Sequence, residues 1–155
     1  MFTTAKARAQ AANLAELSIQ AQMAIGATLL VAKRVEDAVV AYHEAGALGE
    51  ASAREFAAQQ PAIEASGPAV PMIMAVEAHR MAGQLLVSLG REQDAANSFW
   101  RALAAANAVD EDRRSNTSAS EAARQLAALC RKHNLHQQAD SLEAQAAALE
   151  TPATA

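Results

Sequence analysis

The sequence predicts an all-α protein built from three antiparallel helix pairs, and three observations carry that prediction. The first is a pattern that occurs three times. A small residue stands twelve places before an alanine, as Gly26 and Ala38, Gly83 and Ala95, Ala127 and Ala139. The same slots recur around each alanine. Leu29, Leu86 and Cys130 stand nine places before it, and Lys33, Gly90 and Asn134 five places before it. Tyr42, Phe99 and Glu143 stand four places after it, and Ala45, Ala102 and Ala146 seven places after it. The second observation is composition: 52% of the 155 residues are hydrophobic but 3% are aromatic. Alanine supplies much of the apolar share, so helices can meet at short range over a core of Leu, Ile, Val and Met. The third is the lack of strand signals, since no run of β-branched residues alternates with polar ones. A chain of this length forms one domain, 1–155.

The elements follow in order. The first helical region begins near Thr3 or Thr4, whose hydroxyls suit an N-cap, and extends to Arg34 either as one helix or with a break near Ser18. Leu14, Leu17, Met23, Ile25, Leu29 and Leu30 give it a broad apolar stripe. A second helix covers Val35 to Gln60, with Val39, Tyr42 and Phe56 on or near its buried side. Gly46 and Gly49 weaken it by up to ~1 kcal/mol each relative to alanine. Close approach of a neighbouring helix is the expected compensation. Pro61, Gly67-Pro68 and Pro71 mark a linker over 61–71, because proline removes a donor and disfavours helix before it. The third helix runs from Met72 to Leu89 and the fourth from Glu92 to Val109. Asp110 to Ser118 reads as a polar loop. The fifth helix starts near Ser118 or Ser120, with Glu121 in its first turn, and ends near His133. The sixth spans Leu135 to Glu150, and Thr151 to Ala155 fray.

The spacing has a packing reason. Antiparallel helices approach closely where side chains are small, so Gly83 and Ala95 are the expected contact point. Phe99 and Ala102 follow on the same face. Gly90 supplies the positive φ that closes the turn. Lys33 stands in that slot in the first copy, and Asn134, which tolerates the left-handed conformation, in the third.

These residues resemble the tetratricopeptide repeat, a helix-turn-helix unit that stacks into a solenoid. The copies are centred on 22–55, 79–112 and 123–150. Their alanines are 57 and 44 residues apart, against about 34 for the common repeat. The excess resembles the extended variants of the family, with longer helices and inserted loops. Glu143 stands where the family has an aromatic, and Glu50, Asn107 and Thr151 stand where it closes with proline. The resemblance implies a short right-handed solenoid whose first helices line a concave groove. The groove slots are Met23, Ala27 and Leu30; Arg80, Gln84 and Val87; and Arg124, Ala128 and Arg131. One end of that groove is apolar, and the other carries arginines able to hold a carboxylate bidentately. The family's usual role is to bind other proteins without chemistry of its own.

The remaining residues argue in the same direction. A net charge of −4 disfavours nucleic acid, whose binding needs dense Lys/Arg contacts to phosphate. The single cysteine, Cys130, allows no intrachain disulfide and reads as a packing thiol. The apolar run Met23 to Ala32 is too short to span a bilayer, which leaves a cytoplasmic protein as the expectation. His133 and His136 lack a third metal ligand nearby in sequence. His79, in a slot that the family often fills with tryptophan, reads as a packing residue. No phosphate loop or nucleophile elbow is present, so no cofactor and no catalysis are expected. Two functional expectations result. The first is an adaptor or chaperone-like module that grips a peptide or helix of another protein, with an acidic segment or a free C-terminus as the ligand of the arginines. The second is a structural self-assembling protein, most simply a homodimer, through the apolar stripe of the first helical region.

Overall fold

In a computed structural model, which describes residues 2–59, 69–109 and 116–150, the chain forms six α-helices: α1 (Phe2–Val31), α2 (Val35–Gln59), α3 (Ala69–Ser88), α4 (Glu92–Asn107), α5 (Asn116–Lys132) and α6 (His136–Glu150). No strand occurs among the described residues. Each of α1–α2, α3–α4 and α5–α6 is a packed pair. Consecutive pairs dock through α2 on α3 and α4 on α5, with sparser contact between α1 and α3 and between α3 and α5. The first helical region is one helix without a break, and Thr3 and Thr4 lie inside it.

The three turns within the pairs have the same conformation. Lys33, Gly90 and Asn134 have φ of 61°, 75° and 61°. In each, the following residue donates its amide to a carbonyl five residues back: Arg34 to Leu29 at 2.8 Å, Arg91 to Leu86 at 2.9 Å and Leu135 to Cys130 at 2.8 Å. The left-handed residue itself donates three residues back, to Leu30, Val87 and Arg131. This is the Schellman arrangement, which satisfies carbonyls that a helix end leaves orphaned. Only one of the three residues is glycine, so the first and third copies carry a left-handed conformation on a side chain with a Cβ.

Small residues mark the close approaches. A Cβ on Gly26 would meet the Tyr42 ring at 2.9 Å, and one on Gly83 would meet the Phe99 ring at 2.5–2.9 Å. The atoms nearest to a Cβ at Gly83 are therefore those of the Phe99 ring, and Ala95 is buried in the same core as Phe99. Gly46 and Gly49 are compensated as their sequence context suggests. The His79 ring of α3 lies over Gly46, with both ring nitrogens within 2.7 Å of where a Cβ would stand. A Cβ on Gly49 would meet the Pro71 carbonyl at 2.5 Å and Ala75 at 3.0 Å.

The element boundaries shift where proline and serine were read as punctuation. α3 begins at Ala69, so Pro71 belongs to its first turn and not to a linker. The first helical amides have no intrahelical acceptor, which makes proline tolerable there. α5 begins at Asn116, ahead of Ser118 and Ser120. The expected linker residues 61–68, the loop 110–115 and the fraying end 151–155 lie outside the described residues.

The main core joins α2 to α6 around Val76, Leu86, Phe99, Leu103, Leu126 and Leu142. A smaller cluster of Ile19, Ala45 and Ala78, with Met23 and Met74 against it, fastens α1. Between residues 10 and 31 of α1, only Ile19 and Gly26 are buried. Leu14, Leu17, Ile25 and Val31 stand 64%, 59%, 48% and 87% exposed. The apolar stretch of this helix is longer than the run Met23 to Ala32 suggests. Gln10–Val31 is long and apolar enough, by length and composition, to cross a membrane. Its polar residues are scattered singly along a continuous helix and do not divide it.

Candidate functional site

The nine groove slots fall three each on α1, α3 and α5, and none of them is buried. Met23, Leu30, Arg80 and Gln84 are half-buried; Ala27, Val87, Arg124, Ala128 and Arg131 are exposed. The packing slots of the same repeats behave oppositely. Gly26, Ala38, Tyr42 and Ala45 are buried, as are Gly83, Leu86, Ala95, Phe99 and Ala102. Leu29 and Cys130, which share the slot of Leu86, are only partly buried, so the contrast is sharpest on α3.

The arginines do not form a free positive patch. Arg80 lies between two carboxylates, with Nη2 at 2.6 Å from Glu77 of its own helix and Nη1 at 2.9 Å from Glu121 of α5. Ser118 donates to the same Glu77 at 2.5 Å. The Arg80 hydrogen bonds, seconded by Ser118, hold the Glu77 carboxyl below the usual carboxylate range despite its burial. Arg124 turns away to Glu150 of α6, at 2.6 Å through Nη2. Arg131 turns to α6 as well, at 2.8 Å from Asp140 and 2.7 Å from Glu143. Arg80 therefore ties α3 to α5, whereas Arg124 and Arg131 bind α6 along its length. Helices antiparallel to one another bring residues 26 apart into contact, and no sequence spacing rule reports such pairs.

A second polar cluster lies where α2, α3 and α4 meet. His79 has no exposed surface, and its Nε2 donates to Glu50 Oε1 at 2.5 Å. Arg101 of α4 approaches the other Glu50 oxygen at 3.3 Å. Ser98 Oγ and His43 Nε2 are 3.4 Å apart, and the two imidazole rings are 6.3 Å apart. Nδ1 of each ring is buried without a hydrogen-bond partner among the described residues. Burial, and then the nearby Arg101 charge, push both histidines below their usual pKa. Both are consequently neutral near pH 7. An open cleft of about 460 Å³ between α2 and α4 reaches His43 and Ser98. At 3.4 Å, with no carboxylate to orient His43, this pair lacks the geometry of an activated nucleophile.

His133 lies against Glu92 at 2.7 Å, and Lys132 holds the same carboxylate. Among the described residues, no group of three or more His, Cys, Asp and Glu gathers as a metal site would require. Cys130 is partly buried and packs against the main core. Comparison with family models and with curated proteins gives no match to this chain.

Proposed function

We propose that this chain is a non-catalytic protein-interaction module of the tetratricopeptide type, which holds a peptide or helix of a partner along α1, α3 and α5. The observation that carries this reading is that none of the nine groove slots is buried, five being exposed and four partly buried, although α3 and α5 bury many of their other residues. The residues at the α1 end are apolar or small, and Val87 is 40% exposed beside them on α3. An amphipathic segment with its apolar side toward Met23, Leu30 and Val87 fits that chemistry. Because Arg80, Arg124 and Arg131 already hold carboxylates, an acidic ligand would exchange one partner for another. Its charge would then add selectivity rather than most of the affinity.

Photo-crosslinking tests the reading. A photoreactive residue at Ala27 or Ala128 is expected to capture one partner in cells of origin, and Leu30→Glu is expected to abolish that capture. The same probe at the exposed Ala51 of α2 serves as the control. Equal capture from Ala51, or capture that survives Leu30→Glu, would show that another face carries the binding.

A further inference from the structure

The face of α1 opposite its packed side is distinct from the groove, and its character singles out an occupant. Leu14, Leu17, Ala21, Ala24, Thr28 and Val31 follow one another in alternating steps of three and four residues, and all six are exposed. That alternation is the seam of a two-helix coiled coil. The exposed positions flanking it from 13 to 32 add no charged residue, although 19% of the chain is charged. Two of the polar side chains on this face are already satisfied within the helix. Ser18 donates to the Leu14 carbonyl and Thr28 to the Ala24 carbonyl, each at 2.8 Å. Covering them therefore strands no hydroxyl.

We infer that a second copy of this chain covers this face, α1 against α1, in a closed twofold dimer. Three considerations favour that occupant. Each copy carries a net charge of −4, and an uncharged face is where two like-charged molecules meet without repulsion. The seam from Leu14 to Val31 is about 27 Å long, and burying half of such a helix surface removes about 500 Å² per copy. Two copies together then reach the roughly 1,000 Å² that a specific interface needs. The opposite end of the molecule excludes head-to-tail stacking. There Arg124, Arg131, Asp140, Glu143 and Glu150 form an ion-paired surface, and an apolar seam pressed on it would desolvate those charges. The contact is consequently isologous and closes at two.

The test is sedimentation of the full chain from about 1 to 500 µM, a span that covers micromolar dimers. The parent is expected at twice the 16.2 kDa chain mass at the upper end. Leu17→Glu and Ala24→Glu should each raise the dissociation midpoint more than tenfold while keeping helicity, and Val40→Glu, on exposed α2 surface, should leave it unchanged. Amide exchange of the parent gives a readout without substitution: residues 13–32 should be protected at high concentration and not at low. A monomeric parent throughout, or a dimer indifferent to both α1 variants, overturns the inference. Flotation of the parent with neutral phosphatidylcholine vesicles, abolished by Leu17→Glu, would also overturn it, because lipid would then be the occupant.

Discussion

Gly46→Ala separates packing from helix propensity, because the two predict opposite signs. Gly46 lies inside α2, so propensity alone makes alanine better by about 1 kcal/mol. The new methyl group would stand within 2.7 Å of both nitrogens of the His79 ring, about 1 Å closer than an ordinary non-bonded contact. The ring is fully buried, so it cannot yield outward into solvent. It is also tethered through Nε2 to Glu50, which Arg101 holds in turn. Overpacking of this kind costs about 1–3 kcal/mol, and distortion of the bond to a charged acceptor adds to it. The net expectation is a loss of about 1–3 kcal/mol, which lowers the melting midpoint by roughly 2–12 °C in a domain of this size. The decisive assay repeats the substitution in a His79→Ala background and follows both by circular dichroism. With the ring gone, Gly46→Ala should become stabilising by about 1 kcal/mol. If the substitution stabilises the parent, or has the same effect in both backgrounds, the His79–Gly46 contact does not set the α2–α3 distance.

Two further outcomes follow from the same geometry. Lys33→Gly should stabilise the protein by about 1 kcal/mol in urea titration, because it removes a Cβ from an exposed residue at φ 61°; Gly90→Ala, at φ 75° with no atom near the new methyl group, should lose a similar amount. Acidification should weaken the fold as pH falls below the ordinary histidine value of 6.5. His79 is held below that value chiefly by burial, so the unfolded chain binds the proton that the folded chain refuses, and stability drops by at most about 1.4 kcal/mol per pH unit for this group. His79→Gln should flatten the dependence of the urea midpoint between pH 7.5 and 5.5 (a window set by roughly one unit either side of the free value), and an unchanged slope would refute the assignment.

The helix pairs were legible in the sequence because their constraints are local. A left-handed residue, a small residue and an alanine recur at fixed offsets, and each offset is a distance along one helix or across one tight turn. The conformation at Lys33 and Asn134 could be read this way even though neither is glycine. Contacts across helices were not legible in that sense. Spacing pairs Gly83 with Ala95, but it does not report the reach of the Phe99 side chain, whose ring comes nearest to Gly83. Pro71 looked like punctuation, yet in a first turn it removes an amide that has no helical acceptor. None of the nine groove slots is buried, whereas the partners of the arginines were hidden. Glu121, Glu150, Asp140 and Glu143 reach them from other helices or from residues far along the chain.

The docking of α1 rests on α2 and on a small cluster that stands apart from the main core. Ile19 and Gly26 are the buried residues of α1 from 10 to 31. Local opening requires less free energy where fewer apolar contacts must be broken, so opening of α1 is expected to leave the main core, which contains none of its residues, intact. The pivot is the turn at Lys33 and Arg34, which an open α1 would present to trypsin. Departure of α1 strips the Tyr42 ring of its cover on Gly26 and leaves α2 as the new end of the stack. Any ligand that bridges Leu30 on α1 and Val87 on α3 then works against that opening. Its binding would be readable as slowed cleavage at the pivot, in proportion to how fully it holds α1 closed.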